Sequence, residues 1–196
     1  MKKGMYVVFE GIDGSGKTTL LREVAEVLVA KGDVVYHIPG YVVPELKTLL
    51  LKEMRQPEPD QRYLALLFAA DRAKQTELIQ DLQYKEEMVI LASRSFISGL
   101  VYQSIQGDLS TTWLETVNRF CIEPDKIIFC DLPVDEALRR ISSRGEADSF
   151  EKREILEKAK IQYESLLAKY GGKVLVINTE KAMDKNVKKI VEFLEI

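Results

Sequence analysis

At 196 residues, with 46% hydrophobic and 30% charged residues, the chain has the size and composition of one globular domain with a sizeable core. No apolar run is long enough to cross a bilayer, and a net charge of −3 gives no reason to expect a nucleic-acid polymer as partner. The N-terminal apolar run is too short for a signal peptide. The two cysteines, Cys121 and Cys130, have neither metal-site spacing nor a disulfide framework, which fits buried thiols in a reducing cytoplasm.

The chain alternates strand and helix patterns throughout. Met5-Tyr6-Val7-Val8-Phe9 is apolar, partly β-branched, and predicts a buried strand. It runs into Gly11-Ile12-Asp13-Gly14-Ser15-Gly16-Lys17-Thr18, followed by Thr19 and a helical pattern that Gly32 stops. Residues 33–38 predict a second strand, and Pro44 opens a helix carrying Leu46, Leu49, Leu50 and Met54. A long helix is expected over about 61–83, and the continuous apolar run 88–92 suits a central parallel strand buried on both faces. Helices follow over 95–105 and 110–121, then a strand over 126–132 and a helix over 134–143. After a polar interruption at 144–151 come a helix over 152–170, a strand over 174–177 and a last helix over 186–194. Five strands joined by helices predict one α/β domain over 1–196, a doubly wound parallel sheet with helices on both faces. Ligands of such sheets sit beyond the carboxyl ends of the strands, which places 11–18, 37–40, 93–94 and 131 along one edge.

The glycine-rich stretch fits the phosphate-cradling loop pattern, in the strand–loop–helix setting that pattern requires. Glycines let backbone N–H groups converge on phosphate oxygens, and the following helix presents the positive end of its dipole. Lys17 brings a point charge to the β/γ-phosphates and Thr18 a hydroxyl to Mg²⁺. Asp13 is unhelpful to a triphosphate, so it is expected to point toward a second substrate or an attendant Lys or Arg. Arg94, at the end of a buried strand, suits either a bidentate phosphate grip or a salt bridge on the rim. Phe68 and Arg72 share a helix face and suit a stacked, hydrogen-bonded base or a core Phe beside a surface Arg. Tyr102 fits a sugar contact or ordinary packing. Arg139, Arg140 and Arg144 suit a basic flap over phosphates or a solvated helix end.

Taken together, these segments resemble the thymidylate kinases over essentially the whole chain. Residues 9–19 are similar to that family's phosphate loop and residues 66–73, Leu-Leu-Phe-Ala-Ala-Asp-Arg-Ala, to its nucleobase segment. The resemblance implies that Phe68 stacks on thymine and Arg72 contacts the base. Residues 93–103, which include Ser98 and Gln103, resemble the family's acceptor segment. That match implies Arg94 on the dTMP phosphate and Tyr102 against the deoxyribose, with Asp13 near the sugar hydroxyl. Arg144-Gly145-Glu146-Ala147-Asp148 resembles the lid, whose arginine reaches the transferring phosphoryl group. The family fold is the P-loop NTPase fold with five parallel strands, usually as a homodimer.

Three positions depart from the family pattern. Ser93 replaces an Asp that helps organise Mg²⁺. His37-Ile38 replaces a segment whose Arg anchors the acceptor phosphate, so His37 is either a weak substitute or a buried strand residue. Ser149 follows Asp148 where the lid often has Arg. The expected function is Mg²⁺- and ATP-dependent phosphorylation of dTMP by in-line transfer. A kinase for another pyrimidine nucleotide or nucleoside, and a catalytically impaired nucleotide-binding regulator, are the alternatives.

Overall fold

The computed structural model describes residues 4–85, 87–143 and 152–194. Five strands form one wholly parallel sheet: β1 (Met5–Glu10), β2 (Val35–Ile38), β3 (Val89–Ser93), β4 (Lys126–Asp131) and β5 (Val174–Asn178), in the order β2-β3-β1-β4-β5. The central strands are apolar on both sides because both faces are covered. Along β1, Val7 and Phe9 pack with α1 (Lys17–Ala30) and α8 (Met183–Leu194). Tyr6 and Val8 pack on the other face. There the cover comes from α2 (Pro44–Met54), α3 (Gln61–Lys85), α4 (Phe96–Gln106), α5 (Thr111–Val117), α6 (Val134–Ser142) and α7 (Arg153–Leu167).

The chain leaves β1 toward one edge of the sheet and leaves β3 toward the other. A crevice therefore opens at the adjacent carboxyl ends of β1 and β3, where Phe9 is paired with Ser93. Several element boundaries differ from the sequence expectation. β2 begins at Val35, although the Val34 carbonyl still accepts from Val89 N–H at 2.8 Å. α5 stops at Val117, because the Asn118 side chain folds back onto the Leu114 carbonyl and a turn to Cys121 follows. The helix expected through 170 becomes 3₁₀ over Ala168–Lys173, with Gly171 at φ +50°. α8 starts at Met183, ahead of Asn186, whose buried amide donates to the Asn178 carbonyl. Of the thiols, Cys130 is buried as expected, and Cys121 is only half-buried. No described helix is long and apolar enough to cross a membrane.

Candidate active site

The phosphate loop links β1 to α1. A Cβ at Gly11 would lie 2.6 Å from the Cys130 carbonyl, and one at Gly14 would lie 2.5 Å from the Ala137 carbonyl, so the loop is pressed against β4 and α6. Both glycines, and Gly16, have positive φ. Ser15 is buried, and its N–H donates to the Ile12 carbonyl, which tightens the turn. Lys17 crosses the loop and donates to that same carbonyl at 2.7 Å. Burial, with Arg94 nearby, lowers its ammonium from the usual 10.5 to about 8. Thr18 and Thr19 lie exposed in the first turn of α1. The hydroxyl oxygens of Thr18 and Ser93 are 3.5 Å apart.

Asp13 turns away from the loop amides and forms an ion pair with Arg94, the second of the two arrangements its position allows. Burial pushes its carboxyl up, but the Arg94 and Lys17 charges outweigh burial and hold it below the usual carboxylate range. Arg94 follows β3 directly and has φ +76°, a left-handed backbone that non-glycine residues rarely adopt. Its guanidinium also donates to Ser98 Oγ at 3.1 Å and lies 5.1 Å from the Tyr102 ring centre. Ser95 caps α4 by accepting from Ile97 N–H, which fixes where Ser98, Tyr102 and Gln103 emerge.

Arg94 and Asp13 form one end of a cavity of about 200 Å³. Phe68 and Arg72 from α3, Ser98, Tyr102 and Gln103 from α4, and Tyr41 ahead of α2 line the rest. Arg72 is buried and donates to Gln75 Oε1 at 2.8 Å, which aims its guanidinium along the cavity wall. Phe68 is half-buried and presents its ring to the same space. Tyr41, Met54, Phe96 and Asn118 also line it. No motif marks Tyr41, Met54 or Asn118, which packing brings here from separate stretches of the chain; Phe96 belongs to the 93–103 segment.

Some expected residues lie elsewhere. His37 is exposed on edge strand β2 and is not part of the cavity lining. Its neighbour Ile38 packs in the cavity-side core, so alternation turns His37 to the opposite face. Asp131, expected along the ligand edge of the sheet, is paired with Lys160 at 2.6 Å. Arg139 and Arg140 both clasp Glu136, and the hydrogen bonds from the two arginines pull its carboxyl down to about 2. Arg140 also donates to the Thr179 carbonyl, and its guanidinium is 3.6 Å from the point where a Gly16 Cβ would stand. Arg144 and Ser149 fall outside the described residues.

The hydroxyls of Thr18 and Ser93 are hard oxygen donors suited to Mg²⁺. Among the described residues no group of three or more His, Cys, Asp or Glu side chains could hold a metal. The two hydroxyls suit a metal whose other ligands are phosphate oxygens.

The family model described as thymidylate kinase matches residues 9–190. A probable thymidylate kinase of Methanobrevibacter smithii is 35% identical over 179 residues, which cover 89% of this chain and 87% of that protein. One from Methanocaldococcus jannaschii is 31% identical over 195 residues, covering 100% of this chain and 98% of the other. A third, from Pyrococcus horikoshii, is 40% identical over 156 residues, 76% of each chain.

Proposed function

The chain belongs to the thymidylate kinase family, and from that premise we propose that it transfers the γ-phosphoryl group of ATP to dTMP. The observation that carries this reading is the position of Arg94. Its guanidinium joins Asp13 of the phosphate loop to the cavity bounded by Phe68 and Arg72. A donor phosphate on the loop and an acceptor phosphate on Arg94 would meet there, with the base lying toward α3.

The loop amides and the N-terminus of α1 would hold the ATP phosphates, with Lys17 released from the Ile12 carbonyl to the β/γ-phosphates. Thr18, with Ser93 beside it, would hold Mg²⁺, which when bound neutralises phosphate charge. Arg94 would grip the acceptor phosphate bidentately while Asp13 keeps it in place. Tyr102 would floor the sugar, Phe68 would stack on the base, and Arg72 and Gln103 would hydrogen-bond its edge. An acceptor phosphate is already a nucleophile, so positioning and charge neutralisation carry the step rather than a general base. Arg144, from its sequence position, is the arginine we assign to the transferring group; Arg139 and Arg140 are already engaged by Glu136.

A homodimer accords with the exposed apolar residues Leu49 on α2 and Tyr63 and Leu66 on α3. A cytoplasmic setting accords with two free cysteines and with the nucleotide substrates. The test is ADP formation from ATP and Mg²⁺ with dTMP, dUMP, dCMP, UMP, CMP, AMP, GMP and thymidine as separate acceptors, each against Lys17→Ala. Lysine-dependent turnover strongest with dTMP supports the reading. Turnover strongest with another acceptor, or ATP binding without transfer, overturns it.

A further inference from the structure

Glu10, the last residue of β1, has no exposed surface, yet its carboxylate gathers four contacts. Oε1 accepts from the Ser95 N–H and the Ser95 hydroxyl, both at 2.7 Å. Oε2 lies 2.6 Å from the Ser98 hydroxyl and 3.0 Å from that of Tyr163 on α7. These two hydroxyls are 2.8 Å from each other, and Arg94 Nη1 reaches both, at 3.1 and 3.4 Å. Arg94 N–H is meanwhile tied to the Phe9 carbonyl at 2.9 Å.

Arg94 is therefore pinned from every side. The strand partner holds its N–H, Glu10 clamps the residue after it, and two Glu10-bound hydroxyls meet its guanidinium. A left-handed non-glycine residue persists only where its surroundings over-determine it, and such strain gathers at functional sites. A freely rotating arginine would lose its own freedom on gripping a phosphate; a pre-set one loses less.

We propose that Glu10 and Tyr163 are positioning residues that pre-set Arg94 for the acceptor phosphate. The proposal rests on the reading of dTMP as acceptor. Three separated segments build the grip: the end of β1, the 94–98 turn, and the middle of α7. Tyr163 acts through its hydroxyl. Its ring has a separate role, packing edge-on to Tyr102 at 6.4 Å and tilted to Phe129 at 5.5 Å. Tyr163→Phe therefore removes the hydroxyl and leaves the packing.

Calorimetric titration of dTMP and, separately, of a non-hydrolysable ATP analogue tests this on the wild type, Tyr163→Phe, Arg94→Ala and the double variant. Tyr163→Phe is expected to weaken dTMP binding about 10-fold, as for one hydrogen bond to a charged group, with analogue affinity within about twofold of wild type. In the Arg94→Ala background the same change should alter dTMP affinity less than about twofold, since Tyr163 then has nothing to position. Glu10→Gln, which keeps the shape but not the charge, should reproduce the selective loss of dTMP binding. Equal losses for both ligands, or a full effect of Tyr163→Phe without Arg94, would make the network merely structural and overturn the proposal. Unchanged dTMP binding in Tyr163→Phe overturns it too, and leaves the acceptor assignment standing. A wild type that does not bind dTMP overturns both.

Discussion

Lys17 holds a positive charge where little water reaches it. Its ammonium is lowered to about 8 from 10.5, so between those values the unfolded chain binds more protons than the folded one. Stability then rises with pH across that window, and the burial cost is largest below pH 8. That cost is on the order of 3 kcal/mol, which follows from lowering the ammonium from 10.5 to about 8. Lys17→Met should therefore abolish phosphoryl transfer and raise unfolding free energy at pH 7, with the gain shrinking toward pH 10. Urea unfolding of both proteins at pH 7 and pH 9.5 checks it, and an equal gain at both would disprove the assignment. Phe68 tests the other end of the site. A ring stacked on a base contributes about 1–3 kcal/mol, so Phe68→Ala should raise the KM for dTMP by roughly 5- to 150-fold while the KM for ATP stays put. Steady-state kinetics with each substrate varied in turn separates this from a general loss of fold.

At the scale of elements, Asp71 ties α3 to the approach to α2. It is buried, and one of its oxygens accepts from the N–H groups of Val42 and Val43, at 3.0 and 2.9 Å. Those residues stand just ahead of α2, beside Tyr41 in the cavity wall. Asp71→Ala leaves two amide donors without their charged acceptor and should cost about 1.5–3 kcal/mol. It should also raise the KM for dTMP more than that for ATP, as Tyr41 loses its anchor; denaturant midpoints and initial rates measure the two effects. Asp71 lies within the segment that sequence pattern singled out for Phe68 and Arg72, yet nothing local reveals its partners, 28 and 29 residues away. The same distinction runs through the molecule. The five strands and the phosphate loop were legible because periodicity and glycine spacing are local properties. The short reach of α5 was not, since an Asn118 side chain ends it. Arg94 stood out from its place at a strand end, whereas the hydrogen-bond network around it, which joins Glu10 to Tyr163 across 153 residues, appears only on folding. His37 shows the opposite error: its position along the sheet edge was right, but alternation carries it to the far face.

For the whole molecule, α3 is apolar on two sides. One side buries Leu64, Ala65 and Leu67 in the core and leads to Phe68 and Arg72. The other exposes Tyr63, Leu66, Ala70 and Ala73, which recur at helical spacing, and Leu49 of the adjoining α2 is exposed as well. Tyr63 and Leu66 are 41% and 49% exposed, too open for a packed position and too apolar for a solvated face. A second copy meeting this surface about a twofold axis would cover both helices, each chain presenting the same residues. Light scattering should then give the mass of two chains, against 22.4 kDa for one. Leu66→Glu puts a charge into that apolar surface and should shift the population to single chains. The substitution lies on the outward side of the helix that carries Phe68 and Arg72 inward. If assembly steadies that helix, separated chains should bind dTMP more weakly while binding ATP as before, and dTMP affinity of the wild type should fall on dilution. A wild type that runs as a single chain at micromolar concentration would assign the exposed face to something other than a second copy.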